Sequence, residues 1–183
     1  MIFRKLGLGH DNQRGFTLIE VIVAIAITSI IAGSITATIT QVYDSNARSA
    51  THMTAIKQVE NAIHYISRDA QMAQIVERAE AEYPDGFPVT MTWVEWESNN
   101  EHQVVYSLVD NKLQRDHYTN RDTNADPDLT ITVARYIKIG EEWTCCDWDD
   151  VAGKFTFKLT AEVGQGSKAA AETREYEVIP RPS

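Results

Sequence analysis

Gly15-Phe16-Thr17-Leu18-Ile19-Glu20 leads directly into Val21–Tyr43, 23 residues without a charge. As a helix that run reaches about 35 Å at 1.5 Å per residue, enough for a hydrocarbon core of about 30 Å. Glu20 therefore sits at the mouth of a membrane-length segment, where a charge costs roughly 2.5–3.5 kcal/mol on the mild insertion scale. Something must compensate it. The residues before this stretch carry Arg4, Lys5 and Arg14 against Asp11, and basic flanks stay cytoplasmic, so the chain after the run is expected outside the cytoplasm. A cleaved secretory signal has a shorter apolar region closed by a small-residue step. A plain uncleaved anchor fits the length equally well.

The GFTLIEV string, after a short basic leader and before about twenty apolar residues, resembles the class III signal of type IV prepilins and pseudopilins. That resemblance implies a membrane prepilin peptidase that cuts between Gly15 and Phe16 and N-methylates Phe16. It also implies that Glu20 pairs with the new N-terminal ammonium of an adjacent subunit. The chemistry suits the positions: Gly15 offers no side chain to obstruct the cut, and methylation leaves the ammonium charged. If the helix begins at Phe16, that residue and Glu20 stand one turn apart on one face. The competing reading is a Glu20 that merely snorkels to the interface.

No glycine or proline occurs from Ser34 to Tyr83. Past the membrane run, Met53, Ile56, Val59, Ile63, Ile66, Ala70 and Ala73 fall at helical spacing, with Lys57, Glu60, Arg68 and Gln71 opposite. One helix is expected from about Phe16 to Ile75, amphipathic in its second half. The remainder reads as strands: Lys154–Val163 alternates, Gln103–Val109 and Lys112–Tyr118 flank an Asp110-Asn111 turn, and Leu129–Lys138 and Thr173–Ile179 follow. The expected class is α+β, a long helix packed on an antiparallel sheet head. The organisation is a leader at 1–15, an assembly helix at 16–43, an amphipathic continuation at 44–83 and a β-rich head at 84–183. Lys57–Gln74 is similar to the helix end of J-type minor pseudopilins, where an arginine–acid pair precedes small residues. Arg68-Asp69 stands at that place.

Net charge is −9, and removing a leader of charge +2 would leave −11. An exported domain this acidic argues against bulk binding to nucleic acid. Asp122, Asn124, Asp126 and Asp128 place oxygen donors at every second position, a spacing that can wrap Ca²⁺. Pro127 and Val133 occupy the sixth and twelfth positions, where an EF-hand needs glycine and glutamate, so an EF-hand is excluded. Calcium in another geometry and a solvated acidic turn both stay open; no other cofactor is expected. The only cysteines, Cys145 and Cys146, are adjacent. Their Cα atoms lie about 3.8 Å apart, short for a disulfide, so two thiols are expected, with a strained vicinal bond or an intersubunit bridge as alternatives. Trp93 and Trp96 would face opposite sides of a strand. No catalytic constellation is present, and no enzymatic activity is expected.

The reading is a structural subunit of the inner membrane, assembled through its N-terminal helix with other pilin or pseudopilin subunits. Pilins often carry a proline about twenty-two residues into the mature chain, where this sequence has Ala37. That departure favours a minor pseudopilin of a type II secretion-like system. A minor type IV pilin for adhesion or DNA uptake is the nearest alternative; an uncleaved single-pass anchor presenting a binding head is the other.

Overall fold

The computed structural model describes residues 15–78, 86–120, 126–149 and 151–180. The leader residues before Gly15, and Asp122 and Asn124, lie outside the described residues. The chain divides into two compact units, Met1–Ser45 and Asn46–Ser183, and helix α1 (Leu18–Met72) contributes to both.

In the first unit α1 begins at Leu18 and not at Phe16, because Thr17 caps it. Its apolar side chains, from Ile19 to Tyr43, are exposed, and among the described residues this is the one helix long and apolar enough to cross a membrane. The hydroxyls of Thr28, Ser29, Thr36 and Thr38 donate to the carbonyls of Ala24, Ile25, Ala32 and Ser34, and those of Ser34 and Thr40 to Ile31 and Ala37. Each of these six hydroxyls thus carries its own partner into an apolar surrounding, as a bilayer favours.

The second unit sets the remainder of α1 against two antiparallel sheets. Sheet A runs in chain order through β1 (Ile75–Arg78), β2 (Val89–Val94), β3 (Glu101–Val109), β4 (Lys112–Thr119) and β5 (Leu129–Arg135). Sheet B comprises β6 (Cys145–Asp149), β7 (Lys154–Val163) and β8 (Ala170–Val178), with β7 central. Beyond β5 the chain turns at Tyr136, in a left-handed conformation, and Ile137 bridges to Ala161 on β7. Two backbone bonds, Lys138 N–H to Thr160 and Glu162 N–H to Tyr136, carry that connection. The sheets are therefore joined through main chain. The Arg78–Asp147 ion pair, 2.8 Å, adds a link between β1 and β6.

The core gathers Ala55, Val59, Ala62, Ile66, Ala70 and Ala73 of α1 with Met91, Val104, Tyr106 and Leu113 of sheet A and Phe155, Phe157 and Leu159 of sheet B. The alanines matter because a Cβ-only surface lets the sheets approach the helix closely. The hairpin at Asp110-Asn111 forms with both residues at positive φ, 50° and 58°, as a twisted two-residue hairpin requires.

Several expectations need correction. The helix ends at Met72, and Ile75-Val76 belong to β1: the β-branched pair suits a pleated surface, and Gln74 N–H already donates to Thr92. β5 stops at Arg135 because Tyr136 leaves the strand conformation, while β8 starts three residues early. Thr160, expected to point outward, is fully buried because its hydroxyl bonds the Trp143 carbonyl and the Thr173 hydroxyl. Trp93 and Trp96 do not share a strand. Trp93 is half-buried on β2, and Trp96 sits in the hairpin turn after it, 96% exposed.

Candidate functional site

The segment Gly15–Glu20 is built around one reciprocal cap. Glu20 Oε2 accepts from the Thr17 backbone N–H at 2.9 Å and from the Thr17 hydroxyl at 2.9 Å. The Thr17 hydroxyl oxygen accepts in turn from the Glu20 N–H at 3.3 Å. A threonine at the cap with glutamate three residues on is a capping box, and it satisfies donors that a helix start leaves orphaned. Oε1 of Glu20 has no hydrogen-bond partner among the described residues and remains open to an outside donor. Phe16 precedes the cap and is 86% exposed, so the helical one-turn spacing expected between Phe16 and Glu20 does not describe this geometry. Gly15 is free of steric contact. The Thr-x-x-Glu spacing of Thr17 and Glu20 is the sequence signal for this cap, embedded in the larger motif.

A second constellation lies in the other unit, at the end of α1. Asp69 is fully buried and accepts three side chains. The Tyr106 hydroxyl and Arg115 Nε each donate to Oδ2 at 2.6 Å, and Arg68 reaches Oδ1 at 3.2 Å. Arg115 is only 7% exposed, whereas Arg68 is 49% exposed and stacks its guanidinium over the Tyr65 ring. Burial works against the Arg115 charge, but the hydrogen bond and charge of Asp69 outweigh it and raise its pKa. Burial, then the Asp69 carboxylate, pushes the Tyr106 hydroxyl far above its ordinary range. The cluster is a fully engaged polar anchor between helix and sheet. The Arg68-Asp69 pair noted in the sequence is half of it; Tyr106 and Arg115, 37 and 46 positions away, complete it.

Asp126 and Asp128 both precede β5, and the Asp128 N–H donates to the His117 carbonyl. Among the described residues no group of three or more histidine, cysteine or acidic side chains could hold a metal ion; Asp122 and Asn124, the other two residues of the candidate calcium loop, lie outside them. Cys145 is half-buried and Cys146 buried on β6, neither of them in a disulfide among the described residues. Burial raises the Cys145 pKa, with Glu175, Glu141 and Asp147 adding to it against Lys158. That leaves little thiolate, the reactive form.

Residues 10–36 match the family model for the prokaryotic N-terminal methylation motif. This is the signature of type IV pilins and pseudopilins, and the chain carries it. No characterised protein and no solved structure matches the chain.

Proposed function

From a chain that carries the type IV pilin and pseudopilin signature, we propose a structural subunit that prepilin peptidase cuts between Gly15 and Phe16 and N-methylates at Phe16. The subunit then joins other pilin or pseudopilin subunits in an envelope filament. The observation that carries this reading is the motif at 10–36, set at the head of an exposed apolar helix with Glu20 at its mouth. Cleavage turns the Phe16 nitrogen into an ammonium beside an apolar surface, and the open Oε1 of a neighbouring Glu20 supplies its counter-charge. A carboxylate that is a liability in lipid becomes half of a pair.

Before cleavage the protein is a single-pass inner-membrane precursor with residues 1–15 cytoplasmic and the β-rich unit outside. Among assemblies, a minor pseudopilin of a type II secretion-like system fits best, because α1 passes Ala37 without a proline to open it. Intact and N-terminal peptide mass spectrometry of the protein from its native membrane tests the processing. A chain beginning at N-methylated Phe16 is expected. Retention of Met1–Gly15 in cells with an active prepilin peptidase would overturn the reading and favour a plain anchor.

A further inference from the structure

His102 on β3 and His117 on β4 meet diagonally across the strand pair, His102 facing Thr119 and His117 facing Val104. His102 Nδ1 and His117 Nε2 are 3.2 Å apart, in hydrogen-bonding contact. The ring planes differ by only 11°, and the centroids, at 5.3 Å, lie farther apart than the nitrogens. The rings therefore meet by their edges. Trp93 lies over both, with centroids at 5.6 Å from His102 and 6.4 Å from His117. Such a contact demands one N–H and one bare nitrogen. Lone pairs aimed at one another do not converge on a metal, so the shared species is a proton.

The surroundings set what a second proton meets. Arg115 is two residues from His117 on the same face of β4, so its charge opposes a new cation. Asp128 before β5 and Asp69 on α1 favour one. Glu95, in the turn after β2, holds Oε2 3.8 Å from His102 Nε2, and that same oxygen accepts the Ser98 hydroxyl. Burial, then Arg115 and His102, lowers the His117 pKa despite the two aspartates.

We propose that His102 and His117 form a proton-operated latch at the end of sheet A beside the β2–β3 turn, closed by one shared proton and opened when a second enters. With the second proton, N–H confronts N–H and two cations face each other beside Arg115. The His102 imidazolium then draws on Glu95, which leaves Ser98 and loosens the turn that displays Trp96. One proton from solvent is taken up for each opening, and nothing else is consumed. A histidine whose folded pKa is lowered contributes stability that is complete above the ordinary value of about 6.5. That contribution is lost as pH falls from there through the lowered value. The latch thus holds near neutrality and releases in a mildly acidic exterior. It does not depend on the filament reading, since only the second unit is involved.

The test uses the full chain in detergent micelles with ¹⁵N-labelled histidine, titrated from pH 8 to pH 5, with amide hydrogen exchange over the same range corrected for intrinsic rates. In the wild type, proton uptake by the two rings is expected to be coupled and to occur in two distinct steps. Protection of Trp93–Glu101 should fall about tenfold or more across the second step. In H117Q, His102 should titrate in a single step and the fall in protection should shrink to what the draw of a His102 cation on Glu95 alone produces; in H102Q, His117 should titrate in a single step and protection should be insensitive to pH. Coincident, independent titrations in the wild type would overturn the latch. So would wild-type protection that does not change, or a pH response that survives in both variants.

Discussion

Asp69 illustrates how a single buried carboxylate can organise a unit. Two guanidiniums and a phenol converge on it, and one of them, Arg115, is buried. Asp69→Asn keeps the shape but leaves Arg115 without its counter-charge, and breaking a buried pair from one side costs about 3–5 kcal/mol. Arg68→Ala removes a partner that is half in solvent, so a loss of about 1 kcal/mol or less is expected. Chemical denaturation of the detergent-solubilised chain measures both. The double variant Asp69→Asn with Arg115→Met should recover most of the loss, because no charge is then stranded. An Asp69→Asn variant as stable as the parent would mean that the anchor contributes specificity and not stability. At this scale the sequence is only half readable. Arg68-Asp69 is visible as neighbours, but nothing local marks Tyr106 and Arg115 as their partners, since alternation in a strand gives a face and not an address.

Elements were legible in proportion to how local their determinants are. β7 and the β3–β4 hairpin follow directly from alternation and from Asp110-Asn111, because period and turn chemistry act within a few residues. β1, β2 and β6 do not: each is only four to six residues long, too short to show a clear period, and each pairs with the next strand across a connection longer than the two-residue Asp110-Asn111 turn. The helix end shows the same competition. Propensity would let α1 run to Ile75, yet pairing of Ile75 with Thr92 on β2 wins it for the sheet. The buried alanines of α1 are the element's other message. Ala62 is fully buried at the helix–sheet contact, so Ala62→Leu must force the layers apart, at about 1–3 kcal/mol for an overpacked core. Thermal unfolding followed by near-ultraviolet circular dichroism reads that loss. Unchanged stability would show that the contact has slack to absorb three carbons.

At the scale of the whole molecule, two units with opposite solvent demands share one helix. The first presents apolar side chains outward, while the second buries an apolar core under a surface of net negative charge. Glu20 breaks the rule of the first unit, a carboxylate beside the uncharged run Val21–Tyr43. Its capping box with Thr17 moderates the cost of the charge but does not remove it, since both bonds from Thr17 fall on Oε2 and Oε1 has no partner among the described residues. If the carboxylate served only to start the helix, Glu20→Gln would be almost silent, because an amide oxygen can accept the same bonds. If it serves to receive a cleaved neighbour's ammonium, Glu20→Gln and Glu20→Ala should both abolish assembly. Meanwhile membrane insertion should be maintained or improved, by roughly 2.5–3.5 kcal/mol at most for removal of a charge at depth. Membrane fractionation paired with crosslinking to neighbouring subunits separates the outcomes. Assembly that survives Glu20→Gln and fails only in Glu20→Ala would reduce the residue to a helix cap. Assembly that survives both would leave the carboxylate without a role in the filament.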